Sequence, residues 1–335
     1  MNKCDRKPQY CGLFIMMVLA FTFYVLISKN SKTTLVSTQN TKMIEHNRSS
    51  FTVLSANVGN LTFGCRHVLN NLCYKDVEER ITDNIRLLKP DIIALQEVLA
   101  PWQCNQIKEK NKNKVCYYRQ TIPQIRRLVG NEYTIACDTR NQFECIAIHI
   151  DAGKILGCSK GEICNRARTI TEVTRCDNGF TVSAVTVKLR NNLIIDVVNF
   201  HPQSTNARCR SRMIARAFDS AAPSPLIQQN HVLLLGDFNL DPWRDDDESV
   251  HKWKGFFEKG WANRSFRYHS GIVERDPPYF TSFLFFKKRT VDFVVSNFAT
   301  GICHVLGESP GTKRLDGGRG TDHRALFGIL EMAPK

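Results

Sequence analysis

The stretch LLLGDFNLDP, residues 233–242, runs three leucines into a glycine and then releases Asp237, Asn239 and Asp241 within five residues. Gly, Asp, Asn and Pro all favour turns, so a plain strand end is one reading. A site for a hard cation and a phosphate is the sharper one. Asp237 and Asn239 stand two apart, so in an extended segment both would face one side and address one water and one phosphate. Asp241 then reads as a turn or cap residue before Pro242.

Seven other apolar segments surround this one in the chain: FTVLSA (51–56), DIIALQ (91–96), CIAIHI (145–150), FTVSAVTVKL (180–189), LIIDVVNF (193–200), TVDFVVSN (290–297) and RALFGIL (324–330). They are rich in β-branched and aromatic residues and bounded by turn signals, as strands are. RNN at 190–192 reads as a hairpin turn between two of them. DVEERITDNIRLLKP predicts a helix, with Val77, Ile81, Ile85 and Leu88 at helical spacing, Asp76 and Glu79 as a capping box, and Pro90 past the end. A second helix is expected over 209–222, with Met213, Ile214, Ala217 and Phe218 on one face. Strands apolar on both faces with a few amphipathic helices predict two packed sheets with helices outside, an α+β fold.

Polar groups stand at the strand ends. Asn57 follows FTVLSA, Glu97 follows DIIALQ, and His201 follows LIIDVVNF. Asp292 lies inside an apolar run, where a carboxylate needs a partner. Thr321, Asp322 and His323 precede the last strand. Each has a plain explanation alone, but one shared rim explains them together.

The chain has 335 residues, 42% of them hydrophobic, which excludes a disordered composition. Its net charge is +14, and the first fifty residues, with seven basic and two acidic side chains, supply +5 of it. The remaining +9 suits a polyanionic partner, nucleic acid or an anionic membrane surface. Residues 1–10 form a short basic segment, and 11–28, CGLFIMMVLAFTFYVLIS, an apolar run. That run is read as an uncleaved signal anchor, with a cleaved signal peptide as the alternative. Residues 29–50 read as a linker and 51–335 as one catalytic domain. Of thirteen cysteines, eleven lie in that body and none forms a CxxC pair. Several disulfides outside the cytosol are expected, with an odd thiol left over. The catalytic domain is therefore expected to be extracytoplasmic, membrane-anchored or secreted.

SANVGNL, LQEV, NFHPQS, GDFNLD, VDFVVSN and TDHRAL, in this order, resemble the endonuclease/exonuclease/phosphatase (DNase I-like) superfamily over about residues 51–332. GDFN followed by a distant DH is the most specific element. The resemblance implies a four-layer αββα sandwich, phosphate-ester hydrolysis and a divalent cation, normally Mg2+, with Mn2+ or Ca2+ as alternatives. It implies metal roles for Asn57, Glu97 and Asp322, and a water-orienting or deprotonating role for Asp237. Asn239, His201 and His323 would contact the phosphate, with Asp292 holding the His323 tautomer and His201 also a candidate general acid. Leu99 stands where DNase I-like nucleases commonly carry an arginine.

A nuclease, monomeric and acting on nucleic acid, is the first functional expectation. KEKNKNK (108–114) leading to Tyr117, Tyr118 and Arg119 supports it, because basic residues interleaved with aromatics suit a nucleic-acid backbone. A sphingomyelinase-like phospholipid phosphodiesterase is the alternative, with SFLFFKKR (282–289) as an apolar hairpin above a basic collar. A catalytically inactive binding module is the third expectation.

Overall fold

The computed structural model describes residues 50–59, 71–106, 122–138, 144–170, 173, 176, 181–269, 280–284, 287–318 and 320–332. The N-terminal apolar run and the basic stretch 108–119 lie outside the described residues. All described residues belong to one compact unit, His46–Lys335.

The strands in chain order are β1 (Ser50–Asn57), β2 (Ile92–Gln96), β3 (Tyr133–Cys137), β4 (Cys145–His149), β5 (Gly153–Ile155), β6 (Ile163–Cys164), β7 (Arg168–Ile170) and β8 (Thr181–Leu189). They continue with β9 (Ile194–His201), β10 (Val232–Asp237), β11 (Arg267–Tyr268), β12 (Ser282–Leu284), β13 (Lys287–Arg289), β14 (Asp292–Ser296), β15 (Ala299–Val305) and β16 (Leu326–Met332). The helices are α1 (Lys75–Leu88), α2 (Pro101–Gln106), α3 (Gln124–Val129), α4 (Ala207–Ala217) and α5 (Glu248–Lys259).

Two seven-stranded sheets form, one in the order β15-β16-β1-β2-β4-β3-β6 and the other in the order β11-β14-β10-β9-β8-β5, with β7 also on β8. β1 runs parallel to β2 and β9 parallel to β10, and most other neighbours are antiparallel. β12 and β13 make a separate hairpin.

The sequence pattern dictates the layers. Successive strand residues point to opposite faces, so a strand apolar at every position must be covered twice. Val53 and Ile92 enter the core between the sheets, together with Val185, Val197, Leu233 and Val294. Their neighbours Leu54 and Ile93 turn the other way and pack with Val77, Ile81 and Ile85 of α1 and Leu128 of α3. On the far side Val198, Phe200 and Leu234 pack with Met213 and Ile214 of α4 and Trp253 of α5. The result is the four-layer αββα sandwich. Each fully buried Leu or Ile contributes about 1.5–3 kcal/mol by leaving water.

Two local expectations are corrected, and a third holds. Tyr74, not an acid, occupies the N-cap of α1 and makes no side-chain cap bond. Asp76 and Glu79 instead pair along the helix surface with Arg80 (3.2 Å) and Lys75 (3.5 Å). The helix expected over 209–222 begins at Ala207, because the Asn206 side chain accepts the Cys209 N–H, and it ends at Ala217. The 190–192 turn joins β8 to β9 as expected, with Asn192 in the left-handed region.

Disulfides join Cys137 to Cys145, directly opposite on β3 and β4, Cys158 to Cys164, and Cys176 to Cys209. Cys303 is free and buried.

Candidate active site

The rim of the sandwich gathers the expected residues. Asn57 ends β1, Glu97 follows β2, His201 ends β9, and Asp237 ends β10. Asp237 is part of its strand rather than past it. In the antiparallel register it stands directly opposite Asp292, the first residue of β14. Gly236 makes the close strand packing possible: φ is +143°, and a Cβ there would lie 2.3 Å from the Phe200 carbonyl oxygen.

His323 lies between these two acids. Its Nδ1 is 2.9 Å from Asp292 Oδ2, and its Nε2 is 3.5 Å from Asp237 Oδ2. Burial alone would lower the imidazole, but the charges of Asp292 and Asp237 hold it well above 6.5. Burial raises the Asp292 carboxyl to about 6, against the pull of His323.

A second histidine is held in the same way. His201 Nδ1 lies 2.8 Å from Glu144 Oε1, and Glu144 Oε2 accepts from the Thr181 hydroxyl. Burial would lower His201, yet its hydrogen bond to Glu144 and the charges of Glu144, Asp237 and Glu97 raise it to about 9. Its Nε2 is 3.8 Å from Glu97 Oε1 and 3.9 Å from Asp237 Oδ2. Thus the ring points into the site, despite the backbone restriction imposed by Pro202. Sequence reading missed Glu144 and Thr181. The available signal was a carboxylate directly before the wholly apolar start of β4.

Asn57 ties the acids together. Its Nδ2 donates to Glu97 Oε1 (3.0 Å) and Asp237 Oδ2 (3.2 Å), while its Oδ1 accepts from Gly59 N (3.0 Å). Glu97 sits at φ +58°, a left-handed conformation that turns its side chain back over β1. Burial raises its carboxyl to about 7, opposed by His201 and reinforced by the charge of Asp322. Burial raises Asp322 as well.

Asn239 departs from the extended geometry. Its φ is +54°, its N–H folds back on Asp237 Oδ1 (2.8 Å), and its Nδ2 donates to the Pro202 carbonyl (2.9 Å). An Asx-type turn, not an extended strand, therefore brings Asp237 and Asn239 together. Asp241 is the expected turn residue and does one thing more: its Oδ2 accepts from Thr290 N (2.9 Å), fastening the turn to the strand that carries Asp292. Leu99 is buried, and its N–H donates to the Gln124 side chain.

Asp237, Asp292 and His323 offer ligand atoms within 4.8 Å of one another. His323 Nδ1 is bonded to Asp292 and its Nε2 faces Asp237, so the imidazole is committed to these two acids. The sulfurs of Cys158 and Cys164 are in a disulfide, which removes the other such cluster among the described residues. Glu97 and Asp322 are better suited. Burial raises both carboxyls, the Asp322 charge adds to it at Glu97, and a hard cation would restore both to carboxylates.

The sequence matches the model of the Endonuclease/Exonuclease/phosphatase family over residues 54–323. The chain belongs to that family. No curated protein matches it significantly in sequence. Among solved structures, the human Nocturnin catalytic domain with bound sulfate superposes with a TM-score of 0.53 at 15% identity, covering 85% of this chain and 95% of that one. D. rerio TDP2 complexed with single-strand DNA product gives 0.53 at 14%, covering 85% and 100%. ANGEL2, a 2',3'-cyclic phosphatase, in complex with adenosine-2',3'-vanadate gives 0.51 at 14%, covering 85% and 96%. At these identities the likeness establishes the shared fold.

Proposed function

We propose that this protein is a divalent-metal-dependent phosphodiesterase, a nuclease cutting nucleic acid outside the cytosol. One observation carries the reading: two histidines, each bonded at Nδ1 to a buried acid, direct Nε2 toward the same Asp237 carboxylate. That arrangement supplies a base and an acid on one reacting centre. A phosphodiester needs both, because water must lose a proton and the leaving oxygen must gain one.

Asp237 takes the proton of the attacking water, with Asn57 and the Asn239 N–H fixing its two oxygens. His323, held charged, donates to a non-bridging phosphate oxygen as negative charge builds. His201, held charged by Glu144, stands across the site as donor to the leaving oxygen. Its gaps of 3.8 and 3.9 Å to Glu97 and Asp237 exceed a hydrogen bond and leave room for a substrate oxygen. Asn239 contacts the phosphate from its turn. Glu97 and Asp322 would hold Mg2+, or Mn2+ or Ca2+ in its place, with Asn57 beside them; a cation held there would supply charge neutralisation for the phosphate and the leaving oxygen.

The +9 body supports a nucleic-acid substrate. The disulfides and the apolar run at 11–28 support export and anchoring at a membrane. A specific observation favours the phospholipid alternative: Phe283, on the β12–β13 hairpin, is 42% exposed, and Lys288 opposite it is exposed too. A substrate panel separates the two. The protein is incubated with Mg2+ and supercoiled plasmid, single-stranded oligonucleotide, RNA, or sphingomyelin vesicles. Cleavage of a nucleic acid is expected; headgroup release from vesicles with every nucleic acid intact would overturn the nuclease reading.

A further inference from the structure

The segment that delivers Asp322 and His323 is LDGGRGTDH, residues 315–323, rich in glycine and so without stiffness of its own. A reacting histidine needs a fixed position, since displacements near 1 Å cost large rate factors. Something outside the local sequence preference must set it.

Asp316 is 2% exposed, and its carboxylate collects the donors of the whole turn. Oδ1 accepts from Gly318 N (2.9 Å) and Arg314 Nε (2.8 Å). Oδ2 accepts from Thr321 N (3.0 Å) and a second Arg314 nitrogen (2.8 Å). The Thr321 hydroxyl lies 2.9 Å from Asp316 Oδ2 and 3.0 Å from the His323 carbonyl oxygen, and its one proton serves either in turn. Arg314 also donates to the Thr321 carbonyl (2.6 Å), so the backbone just before Asp322 is held from both sides.

The turn is in turn fastened to the outer helix. Arg80 Nε donates to the Asp316 carbonyl (2.8 Å) and Asn84 Nδ2 to the Leu315 carbonyl (2.7 Å), both from α1. Gly320 passes so close to α1 that a Cβ would lie 2.5 Å from Val77 Cγ2. Beyond the turn, Ser282 bridges His323 and the Phe283 N–H donates to the Asp322 carbonyl.

We propose that Asp316 is a positioning residue for phosphate-ester hydrolysis: with Arg314 and Thr321 it forms a clamp around its buried carboxylate that sets the His323 imidazole between Asp292 and Asp237. It touches neither substrate nor reacting atoms. The inference rests on the active-site reading above.

The test compares Asp316→Asn, Thr321→Val and Thr321→Ser with wild type, all as full chains. Asparagine keeps the size but cannot accept from all five donors, whereas serine keeps the Thr321 hydroxyl. On whichever substrate of the panel wild type hydrolyses, Asp316→Asn and Thr321→Val are expected to lose roughly 10- to 100-fold in kcat, with KM changed less than about threefold. Thr321→Ser should retain wild-type kcat. The double variant should cost no more than the worse single one, because both break one clamp.

A second readout needs no substrate. In a long-range 1H–15N spectrum, the hydrogen-bonded Nδ1 proton of His323 should be present in wild type and Thr321→Ser, and lost or broadened in the other two. If Asp316→Asn does not fold, the Thr321 pair carries the same comparison. Wild-type kcat with an unchanged imidazole signal in Thr321→Val would overturn the proposal while leaving the nuclease reading intact. A wild-type protein that cleaves no nucleic acid, with the signal responding as described, would overturn only the nuclease reading.

Discussion

Asp237 and Asp292 face each other across the antiparallel pair β10–β14, and His323 bonds to one and approaches the other, at 2.9 Å from Asp292 and 3.5 Å from Asp237. Two carboxylates this close would ordinarily repel. The charges of both acids raise the imidazole between them well above 6.5, which favours its cationic form and offsets that repulsion.

The Glu144–His201 pair gives the first prediction. Glu144→Gln should lower kcat by about 10²-fold or more, since the imidazole loses both its orientation and its charge. Thr181→Val, which removes only the bond to Glu144, should cost less. Steady-state rates for the double variant Glu144→Gln/His201→Ala should match those of His201→Ala alone. A clearly additive loss would show that Glu144 acts elsewhere.

His269 governs part of the acid sensitivity. It is buried, with Nε2 2.8 Å from Ser296 Oγ and Nδ1 3.2 Å from the Gly301 carbonyl oxygen. Burial, helped by Arg267, lowers it below its ordinary 6.5. The unfolded chain therefore binds a proton at a pH where the folded chain resists one. This contribution to stability is full above about pH 6.5 and falls as pH drops below it. Urea unfolding at pH 7.5 and 5.0 checks the sign: the stability advantage of wild type over His269→Gln should shrink at the lower pH. An equal gap at both would contradict it.

The Cys176–Cys209 bridge spans 33 residues and ties α4 to the chain ahead of β8. Closing a loop of that length stabilises by about 3–4 kcal/mol through the unfolded state. Cys176→Ser/Cys209→Ser should lower the unfolding free energy by that order in urea titrations. An unchanged midpoint would mean that native strain cancels the gain.

Much of this architecture was legible in the sequence because it rests on periodicity. The eight apolar segments all became strands, and their two-faced apolarity required covering on both sides. Six motifs in order placed Asn57, Glu97, His201, Asp237, Asp292 and His323 on one rim. What stayed hidden depends on tertiary partners. Glu144 looks like an ordinary strand-end acid until β8 and β9 bring Thr181 and His201 to it. Asn239 looked extended because its left-handed turn is imposed by Asp237 Oδ1 and the Pro202 carbonyl, one of them 37 residues away in sequence. The helix start at Lys75 was misjudged for a different reason: tertiary packing of Val77 and Ile81 fixes that helix without a side-chain cap.

Asp237 is proposed to drive metal-dependent hydrolysis of a phosphodiester. The most direct measurement is nicking of supercoiled plasmid by the purified protein with Mg2+, with EDTA, and with Asp237→Ala in place of wild type. The account predicts nicking with Mg2+, none with EDTA, and a loss of at least about 10³-fold in a variant that stays folded by circular dichroism. Undiminished nicking by folded Asp237→Ala would contradict it.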